Sequence, residues 1–112
     1  MAGEPERIGE KAREAIEAQG TQVVVSAVNV WEVAIKRRLG KLDAPADLLD
    51  RIEQAQVDLL PISARHADRV GTLPMHHRDP FDRLLVAQAG VEGLTLVSAD
   101  SWIHEYEIDV LW

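Results

Sequence analysis

An alternation limits this chain more than any other feature: short runs rich in β-branched residues, separated by stretches of helical periodicity. Residues 22–26 (Gln-Val-Val-Val-Ser) are apolar without a period of two, as in a strand buried on both faces. Residues 57–62 and 94–98 read as two more strands, and 108–111 as a short fourth. Helical spacing fills the intervals. Ile8, Ala12, Ala15 and Ile16 precede Gly20, placed to stop a helix. Val30, Ala34 and Ile35 follow Asn29, read as the start of a second helix that ends in Lys36, Arg37 and Arg38 before Gly40. Residues 46–54 form a third, with Leu48, Leu49 and Ile52 facing inward. Ser63 caps a short helix to Val70, and Pro80 opens one that runs to about Ala89, buried through Phe81, Leu84 and Leu85. Strands alternating with helices predict an α/β fold with a mostly parallel sheet.

At 112 residues the chain suits a single domain with one core. No repeat, low-complexity tract or Gly/Ser linker divides it. Cysteine is absent, which removes disulfides and thiolate metal sites. The apolar runs, such as residues 23–25, are far too short for a bilayer, and the charged N-terminal stretch has no signal-peptide centre, so a cytoplasmic location is expected. The net charge of −7 argues against a protein that grips nucleic acid by electrostatics alone. It leaves open an enzyme that reaches phosphates through divalent cations, because such a site needs clustered carboxylates.

Three carboxylates occupy comparable places. Glu32 lies in the first helical turn after the Val-rich strand, Asp82 in the first turn of the helix that Pro80 opens, and Asp100 directly after the strand Leu-Thr-Leu-Val-Ser. In an open parallel sheet these places share one edge, where ligands bind. Three carboxylates there suit Mg2+ or Mn2+, which prefer oxygen donors. A plainer reading stands beside this one. Asn29 and Glu32 have the spacing of a capping box; Asp79, Pro80 and Asp82 read as cap, first helical residue and third-position acid; Asp100 suits a cap for the segment that follows. Spacing alone favours the plainer reading of each acid.

Other polar groups have the same double character. Lys36, Arg37, Arg38 and Lys41 cluster where RNA phosphates could bind, Lys36 and Arg38 foremost, although cations complementing a helix C-terminus are the more frequent explanation of such a cluster. His76 and His77 stand before the Asp79 helix as phosphate contacts or as a solvated loop. Trp31 and Phe81 are placed to stack on bases or to fill a core or subunit contact.

The segments VSAVNVWEVAIKRRLGKL, LPMHHRDPFDRLLVAQA and EGLTLVSAD, with the terminal VLW, resemble PIN-domain ribonucleases of the toxin–antitoxin (VapC) type. The similarity runs in order along essentially the whole chain. The resemblance implies a three-layer α/β/α sandwich around a parallel sheet and a Mg2+- or Mn2+-dependent endoribonuclease with acids gathered at the carboxyl edge. It implies that Glu32, Asp82 and Asp100 correspond to the second, third and fourth of those acids, with Ser98 standing where threonine is usual. It also implies an RNA substrate, a VapB-type antitoxin and a homodimer. The alternative is a non-catalytic PIN-like protein that engages an antitoxin or dimerises; a remnant without function is a third.

One departure bears on all of these. Such proteins open with an apolar strand ending in aspartate, like L-L-D-T-H, and this sequence resembles the family only from after that point. The first acid and a central strand are therefore expected to be absent. Glu4, Glu6 and Glu10, upstream of residues 22–26, sit in a polar stretch that reads as a solvated helix start. Strands deprived of a central neighbour expose backbone donors and acceptors beside apolar surface. The chain is expected to be poorly stable alone or to borrow a strand from a partner. Cooperative thermal unfolding of a well-behaved monomer would overturn that expectation.

Overall fold

The computed structural model describes residues 9–55, 57–76 and 78–112; Ile8, Glu4, Glu6 and His77, all named above, lie outside them. In chain order the elements are α1 (Glu10–Glu17), β1 (Val24–Ser26), α2 (Ala27–Arg38), α3 (Leu48–Gln54), β2 (Asp58–Leu60), α4 (Ala64–Val70), α5 (Pro80–Glu92), β3 (Leu96–Val97), a 3-10 turn (Ile103–Glu105) and β4 (Val110–Leu111). β1 pairs with β2, and β3 with β4, both in parallel. This is an α/β fold. The chain divides into two compact units, Gln22–Ile62 and Met1–Thr21 with Ser63–Trp112.

In the unit Gln22–Ile62, strand passes into helix with no loop. Ser26 is the last residue of β1 and the N-cap of α2: its Oγ accepts the Val28 N–H at 3.0 Å, and its own N–H donates to Asn29 Oδ1 at 3.3 Å. The helix therefore opens at Ala27, ahead of the expected start, and Asn29 is the return partner of the cap. The other end follows the sequence. Gly40 takes a left-handed φ of 72°, the Lys41 N–H reaches Lys36 O at 2.9 Å, and Lys36, Arg37 and Arg38 lie beside the terminal carbonyls. α3 starts later than expected because the Leu48 N–H closes a turn onto Pro45 O. Leu48 and Ile52, four apart, share its half-buried face, while Leu49 points away and is exposed. Of this unit's described residues, only Ser26 and Val28 are buried.

The other unit holds the denser core. Asp79 caps α5, Pro80 is its first residue, and Gly93, left-handed at φ 67°, ends it. Gly90 does not stop the helix, which runs to Glu92 rather than to Ala89. Its buried side chains are Arg83, Val86, Ala87, Gln88 and Ala89, whereas Phe81, Leu84 and Leu85, expected to be buried, are half-buried. Val86 packs with Ile103 and Tyr106, ringed by Leu73, Leu96, Ile108 and Val110. Burying a valine of this kind contributes about 1.5–3 kcal/mol.

α1 has no side-chain cap; the main-chain oxygen of Trp112 accepts the Ala12 N–H at 3.0 Å instead. The approach is close enough that a Cβ on Gly9 would lie 2.2 Å from that oxygen. Gly9→Ala should therefore dislodge the cap and cost about 1–2 kcal/mol, lowering the melting temperature by several degrees. A melting curve that superimposes on the parent's would refute this docking.

Candidate functional site

The two units carry different parts of the predicted acidic set: α2 holds Glu32, while Asp82 and Asp100 belong to the unit of α5 and β3. Because α2 begins at Ala27, Glu32 falls in its second turn and cannot complete a capping box, which corrects the plainer reading at this position. It is instead one partner of a helical ion pair. Lys36 Nζ donates to Glu32 Oε2 at 2.6 Å, four residues on. Lys36 is thus committed beside the acid, and Arg37 donates through Nη1 to Pro45 O at 2.8 Å. Within the basic cluster these contacts hold α2 and its following turn in place. Trp31 is exposed on the same helix, so it is not a core residue.

At α5 the plainer reading holds in detail. Asp79 Oδ1 accepts the N–H groups of Phe81 at 2.8 Å and Asp82 at 3.3 Å. Asp82 is the third helical residue, where a carboxylate faces the positive end of the helix dipole. Asp100 organises the turn after β3. Its N–H donates to Ser98 Oγ at 3.1 Å, and its Oδ1 accepts the Trp102 N–H at 2.8 Å. The Ile103 N–H reaches Asp100 O at 3.2 Å and so starts the 3-10 turn. The Ser98 carbonyl accepts from His104 Nε2 at 3.0 Å. Ser98 thus serves Asp100 through its hydroxyl, a role a threonine would fill equally.

Carboxylates are the donors a hard divalent cation takes. Among the described residues, however, no group of three or more His, Asp or Glu side chains is placed to hold a metal ion. The donor chemistry fits Mg2+ or Mn2+, but the described residues supply no ready-made cage for either.

The family of the chain is nonetheless settled. The model of the PIN domain family matches residues 2–108. This chain belongs to the PIN domain family. PIN domains are nucleases, often found in toxin–antitoxin systems, and typically depend on divalent metal. A comparison with curated proteins finds no match to this PIN domain.

Two polar groups of this PIN domain escaped the sequence reading. His66 is 1% exposed. Its Nδ1 accepts the Ser63 N–H at 3.0 Å, which leaves the ring hydrogen on Nε2 to meet Glu92 Oε2 at 2.8 Å. Gln88, also buried, lies 3.3 Å from the same Nδ1. Ser63, His66, Gln88 and Glu92 therefore latch α4 to α5. Arg83 is the second, and the only sequence signal for it is its place one turn before Val86 and Ala87, on the face that becomes buried. No buried side-chain nitrogen or oxygen among the described residues lacks a partner.

Asp79→Ala removes the acceptor for two amides at the start of α5 and should cost about 1 kcal/mol, while Asp79→Asn should retain most of the stability. Denaturant melts of the two variants check this, and equal loss in both would mean that the cap is not what Asp79 contributes.

Proposed function

We propose that the chain is a metal-dependent endoribonuclease of the VapC toxin type, with RNA as substrate and a cytoplasmic place of action. Membership of the PIN family over residues 2–108 is the observation that carries this reading. Glu32, Asp82 and Asp100, at the positions where the family's acids are expected, are the proposed ligands and catalytic carboxylates. The absence of any helix, among the described residues, long and apolar enough to cross a membrane is consistent with this location.

When bound, the cation would supply an activated water and stabilise charge on the phosphodiester. The chain's own contribution is the placing of oxygen atoms. In this reading Asp79 holds the start of α5 so that Asp82 is presented at a helix N-terminus, the Ser98 hydroxyl holds the main chain of Asp100, and Lys36 orients Glu32. Lys36 and Arg38 are the proposed contacts to RNA phosphates, Lys36 by exchanging part of its hold on Glu32. A VapB-type antitoxin and a second copy of the chain are the proposed partners.

A second reading is favoured by one observation: Glu32 and Asp100 each have a local partner, Lys36 and the Trp102 amide respectively. A PIN protein that binds an antitoxin or dimerises without cleaving RNA would need nothing more from these acids. Incubation with a random-sequence RNA pool, with and without Mg2+ or Mn2+, separates the readings. Cation-dependent cleavage is expected, falling roughly 100-fold or more in Asp82→Asn and Asp100→Asn, the scale on which a misplaced reacting group loses rate. Full activity in both variants would remove these acids from the site, and an inert parent chain would leave the binding role.

A further inference from the structure

We infer that Arg83 and Tyr106 are a positioning pair for the acidic site, a strut tying the segment that carries Asp100 to the helix that carries Asp82; this rests on the nuclease reading above. Arg83 directly follows Asp82 on α5 and is 8% exposed. Among the described residues its guanidinium has four acceptors, all neutral. Nη1 donates to Pro74 O at 2.8 Å and to Tyr106 Oη at 3.2 Å, and Nη2 donates to Val70 O at 3.0 Å and Leu73 O at 3.4 Å. Val70 is the last residue of α4, so two of these carbonyls lie at and just beyond a helix end, where acceptors lack intrahelical donors. A planar fork of donors can serve several oxygens at fixed angles, which a lysine ammonium cannot.

Tyr106 is 5% exposed and follows directly on the 3-10 turn that Asp100 opens. The stretch from Asp100 to Tyr106 is bonded turn to turn: Trp102 N–H to Asp100 Oδ1, Ile103 N–H to Asp100 O, and Tyr106 N–H to Ile103 O. Moving the phenol therefore moves the turn that sets the Asp100 carboxylate. The opposite end of the strut is anchored at the first turn of α5, where the Arg83 N–H donates to Asp79 O at 3.0 Å. The ring of Tyr106 also receives His76 edge-on, with centroids 4.9 Å apart at 73°. The loop leading to Asp79 and the turn leading from Asp100 are thus held to one guanidinium. Filling this space would need only an apolar side chain, since a buried charge brings no stability of its own over one. What the guanidinium adds is a fixed location for four oxygens.

Tyr106→Phe tests the strut by deleting one oxygen, alongside Arg83→Lys and Arg83→Met. Melting curves, amide hydrogen exchange at Trp102 and Ile103, and kcat and KM on a random-sequence RNA pool with Mg2+ are the measurements. Tyr106→Phe should melt within a few degrees of the parent, exchange about tenfold faster at the two amides, and lose about tenfold in kcat with little change in KM. Arg83→Lys, which keeps charge without the fork, should fall with Arg83→Met. Should both Arg83 variants fail to fold, the Hη signals of Arg83 in the parent decide its part: separate, slowly exchanging resonances are expected, and one averaged signal overturns the clamp. Parent-like exchange and kcat in Tyr106→Phe, or a loss confined to KM, overturn the strut while leaving the nuclease reading intact if Asp82→Asn and Asp100→Asn are inactive. Asp82→Asn and Asp100→Asn both cleaving like the parent, or a parent that cleaves nothing, overturns that reading and the positioning role with it.

Discussion

Among the described residues the buried Arg83 guanidinium meets no carboxylate, so neutral oxygens must satisfy it, and the unit around α5 is arranged to meet that demand. Arg83 draws in the end of α4 through Val70, the following turn through Leu73 and Pro74, and the C-terminal segment through Tyr106. Removing a charge from water is costly unless its donors are satisfied, so these segments cannot drift independently. The apolar contacts follow: Val86, one turn along α5, meets Ile103 and Tyr106 where the clamp has brought them, and Leu73 joins the same cluster. The His66 latch applies the same logic between α4 and α5, with a buried ring satisfied at both nitrogens.

The acids of the candidate site belong to this framework as well as to any chemistry. Asp79 and Asp100 hold main-chain amides, and Glu32 holds Lys36. A carboxylate that fixes a helix start or a turn is thereby oriented, and orientation is what a catalytic or ligating carboxylate requires. Local structure and site chemistry draw on the same geometry, which is why spacing in the sequence could not exclude either.

The unit Gln22–Ile62 is built on different terms. It buries little beyond Val28 and the hydroxyl-bearing Ser26, and it exposes Trp31, Ile35, Leu39, Leu49, Leu59 and Ile62. Its order derives from local devices: the Ser26 cap, the Gly40 stop, the Glu32–Lys36 pair and the parallel register of β1 on β2, Val24 opposite Asp58. Such devices contribute tenths of a kcal/mol to about 1 kcal/mol each. Those contributions suffice to shape a helix but are small beside a packed core.

Local chemistry was legible in the sequence. The alternation of strands and helices, the caps at Ser63 and Asp79 with Pro80, and the stop at Gly40 all follow from residues within a few positions of one another, because caps, turns and propensities act over one helical turn. Where two local signals competed, the reading erred: Ser26 outranked Asn29 as a cap because a hydroxyl at the strand end already accepts the Val28 amide. What only the tertiary structure decided is which face of α5 is inside. Leu84 and Leu85 read as core by hydropathy, yet Arg83 and Gln88 are more deeply buried, since acceptors from α4, its following turn and Tyr106 converge on one and His66 meets the other. No sequence window contains those partners. The worth of a buried polar residue depends on oxygens and nitrogens brought to it from 9 to 23 positions away, and only the folded chain places them.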